Sequence, residues 1–235
     1  MAGQALSLPQ TTIGKKAIMA ASSIILMGFL VGHLGGNLLI FAENPEHAVN
    51  SYSNWLREFG HGSVIWIVRA TLIAAVLGHI WGALTITARN RAARPVAYRR
   101  KQSLRSTLAS RTMVYGGMAL LGYIVYHLAH LTFHAGIPGG HNPNPNPDLY
   151  PLLDTNVYAN LVDSFANPGI AGIYVLAQVF LGLHLYHGAW SFLQTLGASH
   201  PRYNETRKLA AAAFAGLISV GFILIPLGVQ FGLVK

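Results

Sequence analysis

"KKAIMAASSIILMGFLVGHLGGNLLIF", residues 15–41, decides the fold. Behind its two lysines, Ala17–Phe41 runs without a charged side chain. That run is too long for the apolar core of a cleavable signal peptide, about 7–15 residues, and long enough to cross a bilayer, which takes about 20. It also carries His33 in its second half. An imidazole is costly in an apolar setting unless something binds it.

The rest of the chain agrees with a membrane reading. Of 235 residues, 52% are hydrophobic and 10% charged, against about 25% charged in soluble domains; the mean hydropathy is +0.42. There is no cysteine, so disulfides, thiolate zinc sites and iron–sulfur clusters held by this chain are excluded. No polar stretch is long enough to form a soluble domain; the longest are the loops at 89–111 and 135–168. We therefore expect one integral-membrane domain over 1–235.

Five segments read as membrane helices: about 17–41, 63–88, 112–134, 169–196 and 209–233. At 1.5 Å per residue they are ~33–42 Å long, enough to span with some tilt. Asn167-Pro168 marks the start of the fourth and Ser110 that of the third. Charge alternates between the connections. Lys15 and Lys16, eight basic residues (Arg89, Arg91, Arg94, Arg99, Arg100, Lys101, Arg105, Arg111), and then Arg202, Arg207 and Lys208 fall on one side. Glu43, Glu46, Glu58, Asp148, Asp154 and Asp163 fall on the other. The positive-inside rule then puts the N-terminus in the cytoplasm. "HNPNPNPDLYP", 141–151, is too rich in Pro and Asn for a helix and reads as an extended run over the outer surface, with His141 solvated.

Four spans carry a mid-span histidine: His33, His79, His127 and His184. Each lies about sixteen residues into its segment. Odd helices run outward and even ones inward, so the same offset gives two depths, ~10–15 Å apart. His33 and His127 share the outer level, His79 and His184 the inner. Two levels of two imidazoles are what two stacked bis-histidine haems need in a helix bundle, whereas a zinc site gathers three or four ligands at one depth. Gly36, Gly82 and Gly188, one turn from their ligands, leave room for a flat macrocycle; helix 3 has no such glycine. Spacing alone leaves His130 open against His127 and His187 open against His184, and His134 reads as a wet residue at the end of helix 3. Arg69, the one cation in the outer half of a span, is a candidate partner for a haem propionate. A haem-free proton or metal transporter is the rival reading. Helix 5 has no histidine, carries Pro226, and is expected to pack outside the four-helix core.

"RNRAARPVAYRRK", "SRTMVYGGMALLGYIVYHLAH" and "LGLHLYHGAWSFLQTLG", with the opening stretch, resemble the dihaem cytochrome b membrane anchor of bacterial succinate:quinone oxidoreductases, in its single-chain five-helix form. The resemblance runs through almost the whole chain except the Pro/Asn loop. It implies an all-α fold in which helices 1–4 form a haem-binding bundle. It implies haem iron on His33 with His127 and on His79 with His184, and membrane menaquinone as the electron acceptor. It implies an iron–sulfur subunit and an FAD flavoprotein as partners, so that FAD and clusters lie outside this chain. It implies a bacterial cytoplasmic membrane and no nucleic-acid partner. The basic 89–111 loop would be a docking surface. Succinate would be oxidised on the flavoprotein, so no catalytic residue for it is expected here. Some dihaem fumarate reductases carry a proton-carrying glutamate two residues before the helix 4 ligand; this chain has Gly182, and no such path is expected. For the quinone, Glu58, with Tyr52 and His61, is the candidate set near the outer level. The family rival is the cytochrome b of a hydrogenase or formate dehydrogenase.

Overall fold

The computed structural model describes residues 7–93, 107–198 and 200–235. Arg94, Arg99, Arg100, Lys101 and Arg105 of the basic loop lie outside the described residues. Among those described there is no strand, only an isolated bridge between Pro143 and Thr155. Seven α-helices form: α1 Thr12–Asn37, α2 Pro45–Glu58, α3 Ser63–Ala92, α4 Leu108–Leu131, α5 Val157–Ala166, α6 Pro168–Thr195 and α7 Asn204–Gln230. Five of them, α1, α3, α4, α6 and α7, are long and apolar enough to cross a membrane. They turn large apolar side chains outward: Trp66, Ile67, Ile73 and Leu77 of α3 are all exposed. That is the surface a bilayer would cover.

The helices start where their caps are, not where hydropathy rises. Thr11 accepts from Gly14 N at 2.9 Å, so α1 begins ahead of its lysines. Lys15 is buried with its ammonium 5.4 Å over the Trp81 ring, the stem running along apolar surface. Thr107, not Ser110, caps α4. α3 runs four residues past the expected 88, ending on Arg89 and Arg91, cations suited to a helix C-terminus. Arg89 ties back to α1 through Gln10 O and Thr12 Oγ1. The asparagine before Pro168 caps α6 as expected.

Two helices were not expected. The connection at 42–62, read as a loop, contains α2, and the 135–168 connection contains α5. Each opens on an asparagine cap, Asn44 (with Pro45 at the first helical position) and Asn156. Both are too short to register against the long spans, and α2 is polar as well. α4 stops at Leu131 rather than 134, with Thr132 as its C-cap and His134 at a φ of +49° beyond it. α7 starts five residues before the expected 209 and stops at Gln230, with Gly232 at φ +70° just beyond.

α2, α5 and the loop between α4 and α5 meet on one face as a cap. Asn50 is fully buried there; its amide donates to Asn156 Oδ1 at 2.9 Å and its oxygen accepts from Val157 N at 3.0 Å. Asn156 in turn donates to Glu46 at 2.8 Å. The 141–151 stretch is no helix, but it is not extended. It folds into turns because Asn144 Nδ2 donates to both Tyr150 O and Leu153 O, which buries Tyr150 and Leu153.

The spans pack as α1 on α3, α4 on α6, and α6 most extensively on α7. α7 packs against α6 and also touches α1, where the space beside Gly221 is filled by Leu34. Among the described residues α3 scarcely approaches α4 or α6, and α1 scarcely approaches α4. A gap therefore separates α1 and α3 from α4 and α6, closed only where α1 meets α6 and α7.

Candidate functional site

Imidazoles reach across that gap in two places. His33 of α1 and His127 of α4 have ring centroids 6.0 Å apart at an interplanar angle of 82°. His79 of α3 and His184 of α6 are also 6.0 Å apart, at 56°. These are the two combinations that depth matching brings together. The first pair lies within one turn of the helix ends beneath the cap; the second lies in mid-helix, toward the basic face.

The two alternatives left open by spacing face elsewhere. His130 is wholly buried, with Nδ1 3.0 Å from the Tyr174 hydroxyl and Nε2 3.0 Å from Ser164 Oγ, so both of its nitrogens are engaged. His187 sits 6.5 Å from Trp190. Neither has an imidazole partner across the gap. His134, beyond the end of α4, lies 5.4 Å from the exposed His141.

The surroundings of the four rings differ. His33 is stacked on Phe29, centroids 5.2 Å apart, and meets Phe222 of α7 at 5.6 Å. The Asn37 amide lies 3.3 Å from its Nδ1. His127 is bordered by Tyr123 and Tyr174, each at 5.8 Å. His79 Nδ1 lies 3.4 Å from Ser22 Oγ and 3.3 Å from Ser23 Oγ. Both hydroxyls donate to Met19 O, so each oxygen is left to accept and the imidazole Nδ1 donates. That tautomer leaves the Nε2 lone pair of His79 for a metal, and an Nδ1–H bond is the usual support of a metal-bound histidine. His184 has Gly117 of α4 against its edge: a Cβ there would lie 3.7 Å from Cε1.

These residues fit a bis-imidazole metal group. An iron between two imidazoles, with metal–nitrogen bonds of about 2 Å, holds ring centroids about 6 Å apart. Nδ1 of His127 and of His184 are buried with no hydrogen-bond partner, a cost that apolar packing does not offset. Of the glycines with no atom near the place of a Cβ, Gly116 of α4 and Gly188 of α6 lie on the helix faces that carry His127 and His184 and leave space beside them. The expected role of Gly36 and Gly82 is corrected: Tyr52 fills the space beside the first and Met19 the space beside the second. Gly182 faces α7, where any side chain would meet the Ser219 hydroxyl.

The remaining candidates lie on the cap face. Arg69 is on the exposed side of α3, its guanidinium 4.8 Å over Trp66. It is near enough to Arg57 to oppose that charge: burial first, then Arg69, pushes the Arg57 pKa down, and Asp154 pulls it up. Tyr52 lies against α1 one turn from His33 and stacks with Trp55. Glu58 and His61 are exposed, at the end of α2 and in the left-handed turn after it. Sequence reasoning missed Ser22 and Ser23, although hydroxyls inside an apolar span call for partners, and Tyr123, four residues before His127 on the same face. Tyr174 and Phe222 come from other helices and had no local signal.

Comparison with protein-family models, curated proteins and solved structures finds no match to this chain.

Proposed function

We propose that this chain is the dihaem cytochrome b anchor of a succinate:quinone oxidoreductase in a bacterial cytoplasmic membrane. The observation that carries the reading is the pair of imidazole bridges, one ring from each of four helices, both with centroids 6.0 Å apart. In this reading α1, α3, α4 and α6 form the haem-binding bundle and the N-terminus is cytoplasmic. An iron–sulfur subunit and an FAD flavoprotein dock on the basic face, and menaquinone reacts beneath the cap.

Haem b, when bound, supplies reversible one-electron chemistry. His79 with His184 would hold one such group, nearer the basic face, and His33 with His127 the other, beneath the cap. Ser22 and Ser23 fix the tautomer of His79, and the aromatic rings around His33 and His127 keep water from that pair. Glu58 and His61 stand where quinone protons can exchange with solvent on the cap face, and Tyr52 lines the approach. The membrane helices hold no carboxylate except Glu205 in the first turn of α7, so those protons are exchanged on the cap face rather than carried across.

Pyridine haemochrome analysis of the purified chain tests the reading. Two b haems per chain are expected in the wild type and in His130→Ala, and one in His127→Ala. Folded protein without haem would leave the transporter. Haem reduced by hydrogen or formate, and not by succinate, in native membranes would move the chain to another quinone-linked complex.

A further inference from the structure

Among the described residues His127 has no polar contact to orient it: its Nδ1 is buried and without a hydrogen-bond partner. Only ring packing sets the plane of that imidazole. The packing comes from Tyr123, on its own helix, and Tyr174, on α6, which meet edge to face at 5.3 Å and 87°. Tyr174 is backed by Phe165 of the cap at 4.9 Å.

Tyr174 is itself held by a hydrogen-bond chain whose direction can be worked out. His130 Nε2 lies 3.4 Å from Pro138 O, which can only accept. The hydroxyl hydrogen of Ser164 is committed to Asn160 O, so its oxygen accepts from Nε2 as well. Nε2 of His130 therefore carries the hydrogen, and Nδ1 is the acceptor. The Tyr174 hydroxyl, 3.0 Å away, must donate to it. Every member is buried and satisfied, from the Asn160 carbonyl in α5 through Ser164 and His130 to Tyr174. Such a network has one low-energy arrangement.

We infer that Tyr174, locked by His130 and Ser164, is the positioning residue that sets the imidazole plane of His127 at 82° to that of His33. His130 is then a support of the cap-side pair and not an alternative to His127. Nothing of this kind holds the other pair, where serines at His79 Nδ1 do the orienting and the planes meet at 56°. The inference rests on the dihaem reading for its readout, because the relative orientation of two axial imidazoles governs the electron paramagnetic resonance of low-spin ferric haem. Near-perpendicular planes give a strongly anisotropic signal with a large maximum g value; more parallel planes give an ordinary rhombic one.

The experiment records that spectrum, with a redox titration, on the oxidised full-length protein and three variants. Tyr174→Phe removes the hydroxyl and keeps the ring. His130→Leu removes the acceptor. His130→Asn puts an amide oxygen near the place of Nδ1 and keeps it. In Tyr174→Phe and His130→Leu the more anisotropic signal should shift toward rhombic and one of the two reduction steps should move, the other signal and step staying put. His130→Asn should stay near wild type. Two haems with both signals unchanged in Tyr174→Phe and His130→Leu would overturn the inference alone. So would equal change in both signals, or His130→Asn as damaging as His130→Leu. A folded wild-type chain without haem would overturn the dihaem reading and this inference with it.

Discussion

The two imidazole pairs have the same centroid separation and opposite surroundings. The pair beneath the cap, His33 with His127, is walled by Phe29, Phe222, Tyr123 and Tyr174 and roofed by α2 and α5. The pair toward the basic face, His79 with His184, has no aromatic wall among the described residues. It has two serine hydroxyls on one ring and a glycine against the other. Aromatic packing dominates the first site, where only His33 has a polar neighbour at Nδ1, the Asn37 amide, and the second has hydroxyls at His79 and no aromatic wall. Ring packing fixes a plane without fixing a tautomer, and a hydrogen bond to Nδ1 fixes both. The two pairs should therefore respond to different substitutions.

On the dihaem proposal, the largest effect expected is complete loss of one group. His79→Ala or His184→Ala should leave one haem per chain, with the spectrum of the cap-side site, and His33→Ala should leave the other. Loss of both haems from a single substitution would show that the pairs are not independent.

Next come the hydroxyls. Ser22→Ala with Ser23→Ala removes the partners of His79 Nδ1. Losing the hydrogen-bond partner of a ligating histidine's other ring nitrogen lowers metal affinity about 10–100-fold. Competitive haem transfer to apo-myoglobin should show that loss at the basic-side site only; weakening at the cap-side site would contradict the comparison. Gly117→Leu should act on the same site by steric means, since even a Cβ would touch His184, while Gly117→Ala should be tolerated.

The cap-side pair should be sensitive to its roof. Asn50→Leu removes a donor to Asn156 Oδ1 and strands the Val157 and Tyr158 amides that Asn50 serves. That should cost about 1–3 kcal/mol, read as earlier thermal loss of the cap-side haem band with the other band unaffected.

The smallest effect is on pH dependence. Burial, and then the charge of Glu46, raise the Tyr158 pKa, against its hydrogen bond to Lys235 O. With the folded pKa above the ordinary value near 10, this phenol favours the folded state fully below about pH 10. That contribution is lost as pH rises from there through the folded pKa. Tyr158→Phe should remove this part of the alkaline loss of stability, measured by thermal melts between neutral pH and pH 11.

Much of the comparison was legible in the chain. The apolar runs named five spans because twenty-odd consecutive apolar residues have few other stable fates. The equal offsets of His33, His79, His127 and His184 in spans of alternating direction paired them before any contact was known, because helix rise turns residue number into depth. Depth says nothing about azimuth. Which of His127 and His130, three residues apart, faces α1 depends on how α4 is rotated against α6, and that is set by side chains on both. Gly36 and Gly82 show the same limit: a missing side chain is visible in sequence, but the Tyr52 and Met19 that take its place are not. α2 and α5 were not legible because they are short and depend on asparagine caps and on tertiary contacts, α5 burying Tyr158, Leu161 and Phe165 against α6 and α7, rather than on a long apolar period.

The sequence by itself determined the number of membrane-capable helices, the placing of charge between them and how far along its helix each imidazole lies, all properties that accumulate along one chain. Only the tertiary structure decided which rings face each other and what surrounds them. Those depend on helix rotation and on residues such as Phe222, Tyr174 and Ser164, which are far from His33, His127 and His130 in the chain and come next to them only when the helices pack.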